Sequence, residues 1–383
     1  MIQNTIDAQS DNCELNRCQC NVISGVFNVV LFLVLMDIAK ATPRNVEFDV
    51  WSHFGGYLKL WIWPKSLTFN PHEAGLFNET RTKACKKAST IKCDASQGLC
   101  LLPVFAIYIL IVIRHMPVLH CPKACDVALA LNDLIEALLA VPLGITTAKD
   151  LADRVHTLLV LCVECGYDEF FTPKFHWMLH YIHAFIWWRG MLPTCWVHER
   201  KHKAVKRFAT DIQNTKVFST SVLKEVIGYQ LWAMRQDGAL VSSLGLKEPK
   251  DASVEVTRFV QTELRLPAGA AIKTSCNARL SSGSICASQD VVLMQSIGGI
   301  NYVAAQILMF ASAGNDQCFA LVDLWELVST EPESGCGIWK VVSNTTFVPL
   351  AIVLAACIYC RLSGDRVRLI VPYQFRGLAA QDS

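Results

Sequence analysis

Three apolar runs set the terms for any fold of this 383-residue chain. Residues 21–39 (NVISGVFNVVLFLVLMDIA), 99–113 (LCLLPVFAIYILIVI) and 347–360 (FVPLAIVLAACIYC) each hold about 14–15 apolar residues. A helix needs about 20 predominantly apolar residues to cross a bilayer. Each run also carries an Asn or a Pro inside: Asn28, Pro103 and Pro349. Burial in a protein core, as helices or strands, is the expectation. An integral membrane protein with two or three short spans is the alternative, and the second run, closed by Arg114 and His115, fits it best.

The length calls for two or three domains rather than one core. The N-terminal stretch MIQNTIDAQSDNCELNR has acids early and no basic region before an apolar run, so no signal peptide is expected. Seventeen cysteines, an odd number with scattered spacing, then point to free thiols in a reducing compartment. The sequons at Asn78 and Asn344 carry little weight in that setting.

The expected fold class is α+β, a mostly helical N-terminal two-thirds followed by a small antiparallel β barrel or sandwich. Residues 124–142 and 148–166 show acids on one face and Leu, Val and Ala on the other, with Thr147 or Asp150 as a cap for the second helix. Residues 81–92 (RTKACKKASTIK) carry five cations and no acid, and are expected as a solvated loop, with a second phosphate-contacting patch as the alternative. Residues 1–235 form the helical region, residues 236–288 a Ser-, Ala- and Gly-rich linker or long loop, and residues 289–376 the β-rich module. Within that module VVLMQS, YVAAQILMFA, CFALVDLWEL, GIWKVVSN and RVRLIVPY read as strands separated by Gly, Asn, Asp and Ser.

Charge is the next constraint. Residues 171–235 carry 10 Lys and Arg against 3 Asp and Glu, a net +7, in a chain whose formal net charge is only +2. Five of the ten histidines lie in the same stretch. Thr172-Pro173 is a helix start that sets His176, His180 and His183 on one face. No Cys or carboxylate joins them in sequence, so packed, hydrogen-bonded histidines are expected rather than a metal site. His198-Glu199-Arg200-Lys201-His202 matches H-E-x-x-H, in which two histidines bind zinc and the Glu activates water, and Glu225 lies within range as a third ligand. A zinc-dependent hydrolase using His198, Glu199 and His202 is therefore one reading. The flanking cations oppose it, because a dicationic metal is disfavoured on a cation-dense helix. Arg200, Lys201, Lys203, Lys206 and Arg207 instead supply five positive charges in eight residues, a face suited to phosphate backbones.

Cysteine pairs occur at Cys18/Cys20, Cys121/Cys125, Cys162/Cys165 and Cys357/Cys360. A structural zinc site needs two pairs brought together. The last two pairs sit in apolar patterns and are expected as buried thiols.

The order Pro173-Lys174-x-His176-x-x-x-His180, then Gly190, Cys195-Trp196 and Glu199-Arg200-x-His202-Lys203-x-x-Lys206, is more specific than any one motif. It resembles the C-terminal part of eukaryotic CACTA-type cut-and-paste DNA transposases and proteins derived from them. The resemblance is clearest over residues 171–235 and extends back through TIKCDASQGL (90–99), WIWPK (61–65) and SGVFN (24–28). It implies nuclear DNA binding through the phosphate backbone and, in intact members, strand transfer by a ribonuclease-H-like core holding two divalent metals. Glu199 maps onto a family acid; the other two acids would lie upstream of this chain. Where members carry an Asp and a His before SGVFN, this chain reads Asn16, Arg17, Cys18 and Gln19. The expectation is a truncated, catalytically inactive nucleic-acid-binding remnant. No cofactor is expected, a divalent metal only with activity, and a homo-oligomer is compatible with the sequence.

Overall fold

The structure, a computed structural model, describes residues 22–65, 75–93, 95–141, 144–176, 178–180, 217–234, 244–296, 302–314 and 317–372. The chain divides into two units, one of residues 1–58 and 71–233 and one of residues 59–70 and 234–383. The first is helical and the second is built on antiparallel sheet, an α+β organisation.

In the helical unit a π-helical turn, Val22–Phe27, leads into α1 (Asn28–Ala41). It is followed by α2 (Val50–Leu58), α3 (Glu79–Ala88), α4 (Ala95–Ile111), α5 (Pro122–Ala140), α6 (Ala148–Glu164) and α7 (Phe218–Met234). The first apolar run is α1 with its lead-in, and Val30, Leu31, Val34, Leu35 and Ile38 are wholly buried. The second run is α4, where Leu101, Val104, Ile107, Tyr108 and Ile109 are buried against the rest of the unit. Gln97–His115 is long and apolar enough to cross a bilayer, yet 56% of that window is buried inside the protein. Phe54 of α2 anchors it, with ring centroids 5.1 Å from Phe105 and 4.9 Å from Tyr108, within the about 4.5–7 Å range of aromatic pairs.

Residues 81–92, expected as a loop, are mostly helical. The reason is capping: the Asn78 side chain accepts from the Arg81 N–H, and Ser89 ends the helix in the left-handed region at φ 50°. Lys86 lies 5.6 Å from the centroid of the buried Trp51 ring, a cation–π contact.

Helices α5 and α6 form an antiparallel hairpin whose register is written in its polar contacts. Thr146 Oγ1 donates to Ala137 O at 2.8 Å, Arg154 Nη1 donates to Asp133 O at 3.1 Å, and Lys123 pairs with Glu164 at 3.5 Å. Thr147 caps α6 by accepting from Asp150 N–H, while the Asp150 carboxylate accepts from the Thr147 backbone N–H. This is a capping box with Asp in the returning position.

The other unit contains β1 (Trp61–Ile62), β2 (Gly245–Lys247), β3 (Lys250–Asp251), α8 (Val254–Glu263), β4 (Ile272–Ser275), β5 (Asn277–Arg279) and β6 (Ile285–Ala287). It continues with β7 (Val291–Gln295), β8 (Tyr302–Ala313), β9 (Gln317–Glu331), β10 (Cys336–Pro349), β11 (Val353–Ala356), β12 (Tyr359–Arg361) and β13 (Arg366–Ile370). Residues 244–288, expected as linker or long loop, thus hold a capped helix and five short strands. Ser253 accepts from Val256 N–H to start α8, whose apolar Val256, Val260 and Leu264 pack on β4, β8, β9 and β10.

All strand pairings are antiparallel: β7 with β8, β8 with β9, β9 with β10, β10 with β13, and β13 with β12. β11 pairs back with β7 and runs into β12 through Cys357 and Ile358. The Cys357 N–H donates to Val291 O at 2.8 Å and the Ile370 N–H donates to Ile358 O at 2.9 Å, so the hydrogen bonding is continuous around a closed barrel. Closure removes the exposed edges that a short sheet would leave. The third apolar run supplies the end of β10, a 3₁₀ turn, β11 and β12.

Val291, Leu293, Tyr302, Ala304, Trp325, Trp339, Cys357, Tyr359, Val367 and Leu369 form one core contributed by β7, β8, β9, β10, β12, β13 and the link between β11 and β12. The opposite face of β7 and β8, through Val292, Met294, Ala305 and Ile307, packs with Ala278, Leu280 and Cys286 of the β5–β6 hairpin region. β7 is therefore buried on both faces. Asp290 is buried at 2% exposure, with its carboxylate accepting from the backbone N–H groups of Lys65 at 2.6 Å and Ala287 at 2.8 Å.

Trp339 fills the barrel with an indole N–H that has no partner. Trp339→Ala is expected to cost about 3–5 kcal/mol in chemical denaturation, the range for emptying an aromatic core site. Trp339→Phe, which also removes the unpaired N–H, should cost markedly less. The Asp150 pKa is lowered, chiefly by the Thr147 side-chain hydrogen bond and then by its backbone N–H. A depressed carboxylate contributes stability above its unfolded pKa and loses it as pH falls. Asp150→Asn should therefore lower the thermal midpoint at neutral pH, and the gap from wild type should close below pH 4.

Candidate functional site

The basic residues Arg200, Lys201, Lys203, Lys206 and Arg207, together with His198, Glu199, His202 and His183, lie outside the described residues. Glu225 is exposed on α7. What the structure does describe is the framework around the other motif stretches, and three of them meet.

Asn28, which interrupts the first apolar run, is buried at the start of α1. Its Nδ2 donates to Cys93 O and its Oδ1 accepts from the Cys93 thiol, each at 2.9 Å. The Ile91 N–H donates to Asn28 O at 3.0 Å. SGVFN is thus stitched to TIKCD by side-chain and backbone bonds from one residue. A buried amide left unpaired costs about 1–3 kcal/mol, so this contact fixes which segment can lie beside α1.

Three residues earlier, Gly25 admits the side chain of Lys174 from the PKxH stretch. A Cβ on Gly25 would stand 2.1 Å from Lys174 Cδ, closer than any real contact. Residues 173–176 and 178–180 are helical, starting at Pro173, and the Phe175 N–H donates to Thr172 O at 2.9 Å. Phe175 and Met178 are buried while His176 and His180 are exposed. Of the histidines expected to be packed, His176 and His180 are therefore not packed. The apolar positions of this helix are 175 and 178, which turn 176 and 180 to solvent. The two rings meet each other instead, with Nε2 atoms 3.0 Å apart and centroids 4.8 Å apart at 80°. Among the described residues no group of three or more His, Cys, Asp or Glu is placed to hold a metal ion.

The α5–α6 hairpin bears a cleft of about 540 Å³ lined by Arg114, Asp126, Asp133, Asp150, Asp153 and Arg154, among others. Its charges are engaged locally: Arg114 pairs with Asp126, Arg154 holds Asp133 O, and Asp150 serves the cap. Four carboxylates against two guanidiniums give it the wrong sign for a phosphate site.

The cysteine pairs divide. Cys162, Cys357 and Cys360 are buried as expected, and burial raises the Cys162 and Cys357 thiols to about 12 and Cys360 to about 11. Such thiols stay protonated and inert. Cys165 is partly exposed. Sequence reading missed the partner of Asp37: the buried Tyr167 hydroxyl donates to Asp37 Oδ2 at 2.7 Å across 130 residues. A lone acid at the end of an apolar run was the available signal.

A methyl group added at Gly25 would meet only the far end of a flexible side chain, so Gly25→Ala should cost little as Lys174 swings aside, and whatever it costs should vanish in the Lys174→Ala background. A denaturation double-mutant cycle checks this, and additive effects would show that the two positions are independent.

Comparison of the chain with protein-family models, curated proteins and solved structures finds no match.

Proposed function

We propose that this protein is a transposon-derived nucleic-acid-binding protein, a catalytically inactive relative of CACTA-type cut-and-paste transposases. In this reading the helical unit scaffolds a cationic segment that binds the phosphate backbone without reading sequence. The observation that carries the reading is the meeting of stretches 24–28, 90–93 and 173–176. These are among the stretches in which the sequence resembles that family, and they contact one another through Asn28–Cys93 and Gly25–Lys174. The concentration of +7 net charge in residues 171–235 supports it independently. In this reading the five cations Arg200, Lys201, Lys203, Lys206 and Arg207 make the contacts, and Glu199, which the resemblance maps onto a family acid, precedes Lys203 by four residues, the spacing at which a helix would let the two pair. A nuclear location follows from DNA as the partner.

Anisotropy titration of a labelled duplex tests this. Binding should weaken steeply with salt, with a slope of log K against log salt of roughly 0.9 per phosphate contact. Neutralising Lys201, Lys203, Lys206 and Arg207 together should lower that slope by about 3–4 on the same scale. Unchanged binding by the quadruple variant refutes the proposal. The zinc hydrolase reading requires stoichiometric zinc in the purified protein, which elemental analysis decides.

A further inference from the structure

A metal site at His176 and His180 is disfavoured only as long as their rings pack into the core, and they do not. Phe175 and Met178 turn inward, at 2% and 0% exposure, and Phe175 stacks on Phe171 with ring centroids 4.4 Å apart. These contacts fix the rotation of the helix. His176 and His180, one helical turn apart, therefore project into solvent side by side.

Their separation can be compared with what a shared ion requires. Metal–imidazole bonds are about 2.0–2.1 Å long. Two such bonds spanning the 3.0 Å between the Nε2 atoms would meet at an angle of about 91–97°. If both ring axes pointed at that ion, the ring centres would lie about 4.7 Å apart, against the 4.8 Å observed. Rings aimed straight at each other in a linear hydrogen bond would instead be about 5.3 Å apart. The pair thus has the spacing of two nitrogens converging on one point outside the helix.

The angle selects the ion. A tetrahedral ion, with about 109° between ligands, would need the nitrogens to spread to about 3.3 Å. An angle near 90° is that of neighbouring positions in a tetragonal or square-planar ion, the geometry of Cu(II) and Ni(II) with nitrogen and oxygen ligands. Charge does not oppose an ion here as it does at residues 198–207. Lys174 is the only Lys, Arg, Asp or Glu in residues 171–180, and its side chain lies against Gly25. We propose that His176 and His180 form a bidentate surface site for a divalent transition-metal ion of tetragonal preference, Cu(II) or Ni(II), with water in the remaining positions.

The proton balance is simple. As the pair stands, one ring's Nε2–H donates to the other ring's Nε2. An ion needs both Nε2 lone pairs, so the donating ring carries its proton on Nδ1 instead, exchanged through solvent because both rings are exposed. Each ring stays neutral and no proton is lost overall. The site is independent of the nucleic-acid reading and of the zinc reading at His198 and His202.

The test uses Ni(II), which does not oxidise thiols as Cu(II) does. The full-length chain is treated with diethyl pyrocarbonate across a Ni(II) titration, and the modification of each histidine is followed by peptide mass spectrometry with fragmentation. His120 and His156, both exposed, are the references. Modification of His176 and His180 should fall together at one Ni(II) midpoint, below any effect on His120 or His156, and Mg(II) should protect neither. His180 is exposed, so His180→Ala leaves the core intact; it should raise the midpoint for His176 roughly a hundredfold, the loss expected when one of two linked contacts is removed. Protection of one histidine without the other, protection only in step with the reference histidines, equal protection by Mg(II), or an unchanged midpoint in the variant each overturns the proposal. The wild-type titration decides it even if the variant misfolds.

Discussion

The hydrogen-bond exchange between Asn28 and Cys93 organises the helical unit. A carboxamide at the head of an apolar helix is costly to bury without partners, and residues 91–93 supply them. Its two side-chain bonds, with the backbone bond from Ile91, bring the segment after α3 against the start of α1. Asp37, nine residues on, performs the same service at the other end of α1 by accepting from Tyr167. The apolar residues between them supply most of the burial, but burial is non-directional. The polar residues at the two ends choose the neighbours.

The β unit solves a related problem differently. Its single buried carboxylate among the described residues, Asp290, takes backbone N–H groups from Lys65 and Ala287. It thereby ties a segment from early in the chain to the start of β7. The closed ring then satisfies the backbone internally, and β7 can be apolar on both faces because a second core lies behind it. A sequence run such as VVLMQ, with no alternation, reflects that double burial.

For function, the structure supplies a scaffold and a set of juxtapositions. Gly25 and Lys174 are neighbours because the absence of a side chain at one leaves room for the alkyl chain of the other. His176 and His180 face outward because Phe175 and Met178 face in. The hairpin's acidic cleft is tied up in its own ion pairs and caps.

Much of this was determined by the sequence alone. The density of the apolar runs required cores, the β-rich, turn-bounded runs after Asp290 required antiparallel strands, and Thr147 with Asp150 marked a helix start. Local chemistry is enough for these, since period and capping act within a few residues. Other features were decided only by tertiary structure. The helix at 79–88 and the elements at 244–288 depend on caps whose value shows only once neighbours bury their apolar faces. The placing of the start of α5 beside the end of α6 depends on the antiparallel register of the two helices, and the Asn28–Cys93 contact spans 65 residues. Sequence reveals that a polar residue inside an apolar run must find a partner. Which partner it finds is set by the packing of the whole unit, because a hydrogen bond is directional and the apolar surface around it is not.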